Sequence, residues 1–69
     1  MDKKITFLIY CMERYRYFKK LSGKEVANLF EKYKVNDYII RYFESLHVLG
    51  DACIVQDIDE YIEECGDEI

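Results

Sequence analysis

Little in this chain would stop a helix. It has no proline, and its three glycines stand at Gly23, Gly50 and Gly66, so the stretches between them are free of both strong breakers. Within those stretches apolar side chains recur at three- and four-residue steps, the period of an amphipathic helix. An all-α fold follows. Its size allows a single domain over residues 1–69. A chain this short buries only about 60% of its unfolded surface, so its core is marginal. The 51% apolar and 16% aromatic content offsets this, because each buried aromatic removes a large area from water.

A first helix is expected over residues 2–20. At 100° per residue, Ile5, Phe7, Leu8, Ile9, Cys11, Met12, Tyr15 and Phe18 cover about half its circumference, wider than one core-facing stripe. Tyr10, Arg14, Tyr17 and Leu21 form an adjacent stripe at i, i+4, i+7 and i+11. A second helix starts at Ser22-Gly23-Lys24-Glu25, where the serine can accept from the Glu25 amide and the glutamate can reach back, a capping box. It carries Val26, Leu29, Phe30 and Tyr33 inward and ends near Lys34. A third helix is expected with Asn36 as N-cap and a staple between Val35 and Ile40. Its apolar face is Tyr38, Ile39, Tyr42, Phe43 and Leu46. Gly50-Asp51 reads as a turn and residues 52–55 as a short extended piece. A fourth helix then starts at Asp57, points Ile58, Tyr61, Ile62 and Cys65 inward, and stops at Gly66. The expected fold is a small four-helix domain whose second and third helices form a helix-turn-helix-like central pair.

Charge is divided sharply along the chain. Residues 1–43 hold all ten lysines and arginines and five acids; residues 44–69 hold nine acids and no lysine or arginine. Such a field governs association more than fold, and it suggests a protein that meets other proteins. Glu63 and Glu64 lie at the unfavourable end of their helix dipole, and Lys19 and Lys20 are the densest basic supply to compensate them.

No constellation of residues argues for catalysis, so the chain is read as a non-enzyme. One histidine, His47, and the scattered Cys11, Cys53 and Cys65 give neither a nucleophile–base spacing nor a zinc-ligand spacing. The acidic run from Asp57 is not an EF-hand loop, because Ile62 stands where the sharp turn needs glycine. There is no phosphate-binding glycine loop. No cofactor or metal is expected. The odd, widely spaced cysteines fit reduced thiols and a cytoplasmic location. The apolar run over residues 5–12 is too short to cross a bilayer and lacks a signal-peptide cleavage site, so no membrane association is expected.

Two functions remain. Tyrosine and arginine are favoured in binding hot spots, which makes Tyr10, Arg14 and Tyr17 the candidate partner-binding residues. The alternative for these three is a core edge with Arg14 lying alongside. The partner would be another protein, a second copy of this chain included. The rival function is a helix-turn-helix-like nucleic-acid binder acting as a dimer or in complex. Against it, the would-be recognition helix offers Arg41 with Asp37 and Glu44, and the chain's net charge is −4.

Residues 21–30 (LSGKEVANLF), Asp37-Tyr38-Ile39, Leu46-His47 and residues 54–62 (IVQDIDEYI), in that order, resemble a small bacterial family of uncharacterised all-helical proteins of about this length. Its members are often encoded beside proteins resembling ADP-ribosyltransferases. The resemblance therefore implies an antitoxin-like or regulatory partner of a neighbouring protein. It implies no catalytic residues.

Overall fold

The computed structural model describes residues 2–67, with the Asp67 side chain excluded; Met1, Glu68 and Ile69 lie outside the described residues. Five helices follow one another: α1 (Lys3–Lys19), α2 (Gly23–Lys32), α3 (Val35–Arg41), α4 (Phe43–Leu46) and α5 (Asp51–Asp67). Four are substantial, α4 is a single turn, and no strand occurs among the described residues. The architecture is all-α.

Asp2 caps α1, its carboxylate accepting from the Lys4 amide at 2.8 Å. The helix ends with Lys20 in the left-handed region at φ 57°, while the Leu21 amide donates to the Arg16 carbonyl at 3.0 Å. The capping box of α2 is present in both directions: the Glu25 amide donates to Ser22 Oγ at 3.1 Å, and the Ser22 amide donates to Glu25 Oε1 at 3.3 Å. Only Tyr33 and Lys34 separate α2 from α3, and Lys34 makes the reversal at φ 55°. The tight helix ends thus fall on lysines, and no glycine has a positive φ.

Four expected boundaries are corrected. Asn36 is not an N-cap: the reversal at Lys34 draws Val35 into the core as the first residue of α3, so Asn36 lies inside the helix. Its Oδ1 is buried without a hydrogen-bond partner. With Val35 already helical, the proposed staple to Ile40 does not form. The third helix also breaks at Tyr42 (φ −104°, ψ 25°) into α3 and α4. Finally, residues 52–55 are helical, and α5 starts at Asp51 rather than Asp57. Ile54, Val55 and Ile58 are all buried and already keep the helical step, which continues to Tyr61 and Ile62. Gly66 lies within α5 and does not end it.

The core is a single cluster with contributions from every helix: Cys11 and Tyr15 from α1, Val26 and Phe30 from α2, Val35 and Ile39 from α3, Leu46 from α4, and Ile54, Val55 and Ile58 from α5. Phe30 meets Tyr15 edge-on, with ring centroids 5.4 Å apart. Two tyrosine–aspartate bonds tie α5 down. Tyr15 donates its hydroxyl to Asp59 Oδ1 at 2.6 Å, and Tyr38 donates to Asp57 Oδ2 at 2.5 Å. The acidic helix therefore lies along basic α1 within one chain. Lys19 reaches Asp59 at 2.9 Å and Arg14 reaches Asp51 at 3.4 Å. The lysine meets Asp59, one turn before the expected Glu63 and Glu64.

Candidate functional site

A helix that is apolar on all sides is normally enclosed by its neighbours. The apolar arc of α1 is wider than one core-facing stripe, yet its neighbours cover only part of it. α2, α3 and α5 cover Cys11 and Tyr15. On the remaining surface Ile5 is 41% exposed, Ile9 49%, Tyr10 41%, Tyr17 62% and Phe18 48%. Side chains of this size left in water forfeit about 25 cal/mol per Å² of apolar area that a partner could cover. Scattered apolar residues are ordinary on a surface; at 100° per residue Ile9, Tyr17 and Tyr10 fall together on the outward side of α1, with Ile5 and Phe18 towards its two edges.

Tyr10, Arg14 and Tyr17 fall on one flank of this face. The Arg14 guanidinium carbon lies 5.2 Å from the centre of the Tyr17 ring while its Nη1 contacts Asp51. The Arg14 guanidinium is thus held between an aromatic face and a carboxylate. The flank extends beyond those three residues. Phe7 stacks near Tyr10 at 6.2 Å and meets Phe43 edge-on at 5.4 Å, and Phe43 stacks on His47 at 4.7 Å. A shallow groove of about 420 Å³ runs between Lys3, Thr6, Phe7, Tyr10 and Phe43. Phe43, read from the sequence only as part of an apolar helix face, and His47 join this flank from α4 and its C-cap, a juxtaposition that helix spacing within α1 does not show. Phe7 was readable, standing three residues before Tyr10.

A second groove of about 410 Å³ lies on the α3–α5 side. Its floor is the Tyr38–Tyr61 stack, with centroids 4.1 Å apart, and Tyr42 leans on Tyr38 at 5.1 Å. Tyr61 is fastened by its hydroxyl donating to the Tyr33 carbonyl at 2.9 Å. Lys34, Asp37, Arg41 and Glu64 ring the groove with balanced charge. Burial, then the bond to Asp57, pushes the Tyr38 phenol above its ordinary value. Burial and Asp59 do the same to Tyr15. These phenols hold their protons and serve as structural donors.

The thiols offer little chemistry. Cys11 is fully buried, and loss of solvent pushes its pKa up to about 12, so it is not a ready thiolate. Cys53 is exposed and Cys65 partly so. Among the described residues no three His, Cys, Asp or Glu side chains converge in a way that could hold a metal ion. No helix among them is long and apolar enough to cross a membrane. As a nucleic-acid reader, α3 has only seven residues and buries Val35 and Ile39.

Residues 6–65 match the model of a protein family described as "Protein of unknown function (DUF3791)". The chain belongs to this family. No curated protein and no solved structure matches it. The matched DUF3791 region takes in the second, third and fourth helices and all of α1 from Thr6 onward. Most of the exposed α1 face therefore lies inside the family region, as do Phe43 and His47.

Proposed function

We propose that this DUF3791 protein is a protein–protein interaction module that presents the outer face of α1 to its partner. One observation carries the reading: five of the eight large exposed apolar side chains among the described residues lie on this one helix, each 41–62% exposed. The flank of Tyr10, Arg14 and Tyr17 supplies the residue types that concentrate binding energy. The finer form of the proposal follows from the family resemblance: the partner is a protein encoded beside this one, which the module neutralises or regulates. Nucleic acid is the poorer partner. Arg41 shares its helix with Asp37, and the exposed Glu60, Glu63 and Glu64 would repel phosphate.

The test is co-purification of the tagged chain from cells that carry its gene, in parallel with an Ile9→Ser/Tyr17→Ser variant. Both side chains are about half exposed or more, so the variant should keep its helical circular dichroism and melt within a few degrees of the parent. The expected result is a protein present in stoichiometric amount with the parent and absent with the variant. Equal recovery with both chains, or co-elution of nucleic acid that persists at physiological salt, would overturn the reading.

A further inference from the structure

Among the described residues Val48 is the most exposed large hydrophobic, at 72%. It stands in the α4–α5 connection beside Leu49, which is 39% exposed. That connection is fastened to α1 at both ends. At one end His47 stacks on Phe43, which meets Phe7 edge-on at 5.4 Å; at the other Asp51 accepts from Arg14 at 3.4 Å. Val48 therefore follows directly on the aromatic wall of the groove between Lys3, Thr6, Phe7, Tyr10 and Phe43. An exposed apolar knob thus adjoins a groove of about 420 Å³ with aromatic walls. We propose that this part of the surface seats a second copy of the chain in a two-fold dimer, Val48 of each copy entering the groove of the other.

A two-fold contact uses the same patch twice, so the patch must complement itself in shape and in charge. The knob and the groove meet the first demand. The second is met by pairing and balance. Arg14 and Asp51 neutralise each other, as do Arg16 and Glu13 further round α1. The exposed charges at the rim are Asp2, Lys3 and Lys4 at the start of α1 and Glu44 on α4, two of each sign. Such a rim steers no strongly charged partner and sets up no net opposition to a copy of itself. The chain's net charge of −4 would otherwise drive copies apart. Its surplus acids Glu60, Glu63 and Glu64, however, stand about 14–20 Å along α5 from Asp51 at the helical rise. That exceeds the Debye length of about 8 Å at physiological salt, so their field is largely screened from this contact. Neither Ile9 nor Tyr17 lines the groove. The dimer therefore goes beyond the reading of α1 given above and leaves those two side chains to another protein.

Sedimentation velocity of the full chain from about 1 µM to about 1 mM should show a reversible monomer–dimer equilibrium. Val48→Lys puts a charge into an apolar groove beside Lys3 and should weaken the dimer about tenfold or more, with helical circular dichroism unchanged because the site is exposed. Thr6→Glu, exposed in the groove wall, should weaken it from the other side. Mixing the two variants should restore a dimer, because the new ammonium of one chain meets the new carboxylate of the other while the second knob and groove stay native. Ile9→Ser/Tyr17→Ser should leave the dimer in place. A parent chain monomeric throughout, a dimer unmoved by Val48→Lys, or a mixture that stays monomeric overturns the proposal. Loss of the dimer on Ile9→Ser/Tyr17→Ser but not on Val48→Lys moves self-association to the outer face of α1 and overturns it as well. So does a monomeric parent whose co-purified protein is lost on Val48→Lys, which gives the groove to that protein. Failure of the dimer leaves the α1 reading standing, because that reading is decided by co-purification with Ile9→Ser/Tyr17→Ser.

Discussion

Asp59 should matter to stability through Tyr15 far more than through Lys19, although its contacts with the two are similarly short. Tyr15 donates to Oδ1 at 2.6 Å and is only 3% exposed. Lys19 donates to Oδ2 at 2.9 Å from a side chain that is 42% exposed. Water can replace the lysine readily, and exposed pairs of this type are worth about 0–1 kcal/mol. Removing the phenol by Tyr15→Phe leaves Asp59 with Lys19 and partial solvation, so the loss is one hydrogen bond to a charged group, about 1.5–3 kcal/mol. Asp59→Ala strands a buried hydroxyl and should cost about 1–3 kcal/mol for that, plus whatever the lysine pair gives. Because the two substitutions remove the same bond, their double variant should be less destabilised than the sum by about 1 kcal/mol or more. Urea melts of the parent, Tyr15→Phe, Asp59→Ala, the double variant and Lys19→Ala measure each quantity. In a domain of this size 1 kcal/mol moves the melting temperature by about 4–8 °C, so the ordering is also readable by heat. A Lys19→Ala cost exceeding that of Tyr15→Phe, or strict additivity of Tyr15→Phe with Asp59→Ala, would refute this account of how α5 is held.

The same buried groups set an alkaline limit. Cys11, Tyr15 and Tyr38 keep their protons in the fold to higher pH than in the unfolded chain, so stability is full at neutral pH and falls above about pH 9–10, by about 1.4 kcal/mol per pH unit for each group then titrating. Tyr15→Phe/Tyr38→Phe should flatten the decline above pH 10, and a parent melting midpoint constant to pH 11 would contradict the assignment. Ser22→Ala should cost about 1 kcal/mol in a denaturant melt by removing the cap of α2. Lys20→Gly and Lys34→Gly should each stabilise by a few tenths to about 1 kcal/mol, because a residue with a Cβ pays a penalty at φ near 55° that glycine avoids. Ile58→Ala should cost about 2–5 kcal/mol, since Ile58 is fully buried, whereas Glu63→Gln/Glu64→Gln should shift the midpoint little.

Where an element's signal was local, the sequence revealed it. Ser22 and Glu25 are three residues apart and close their capping box without help from the rest of the chain. α1 was legible because seventeen residues of unbroken helical spacing outweigh any single ambiguous residue. Where tertiary packing decided, local signals misled. Asn36 and Asp57 are both good cap residues by type. The reversal at Lys34 placed Asn36 within a helix, and the inward step of Ile54 and Val55 carried α5 a turn and a half past Asp57 toward the N-terminus. The β-branched pair Ile54-Val55 resembles a strand in isolation; only burial of both beside Ile58 makes the helical register the better choice. Glycine was likewise a poor guide to where helices end, since lysines hold both left-handed positions.

The candidate site divides in the same way. That Tyr10, Arg14 and Tyr17 share a flank follows from helix geometry alone. What the flank adjoins does not, because Phe43, His47 and Asp51 reach it through the α3–α4 kink and the start of α5. The charge split was visible along the chain, but its use was not. Pairing Lys19 with Asp59 and Arg14 with Asp51 consumes two cations and two acids within the molecule. This internal neutralisation takes place on the sides of α1 that face α5. The charge split is therefore used first to hold α5 against α1, and what stays outside that contact on α5 is an acidic surface at Glu60, Glu63 and Glu64, each of them exposed.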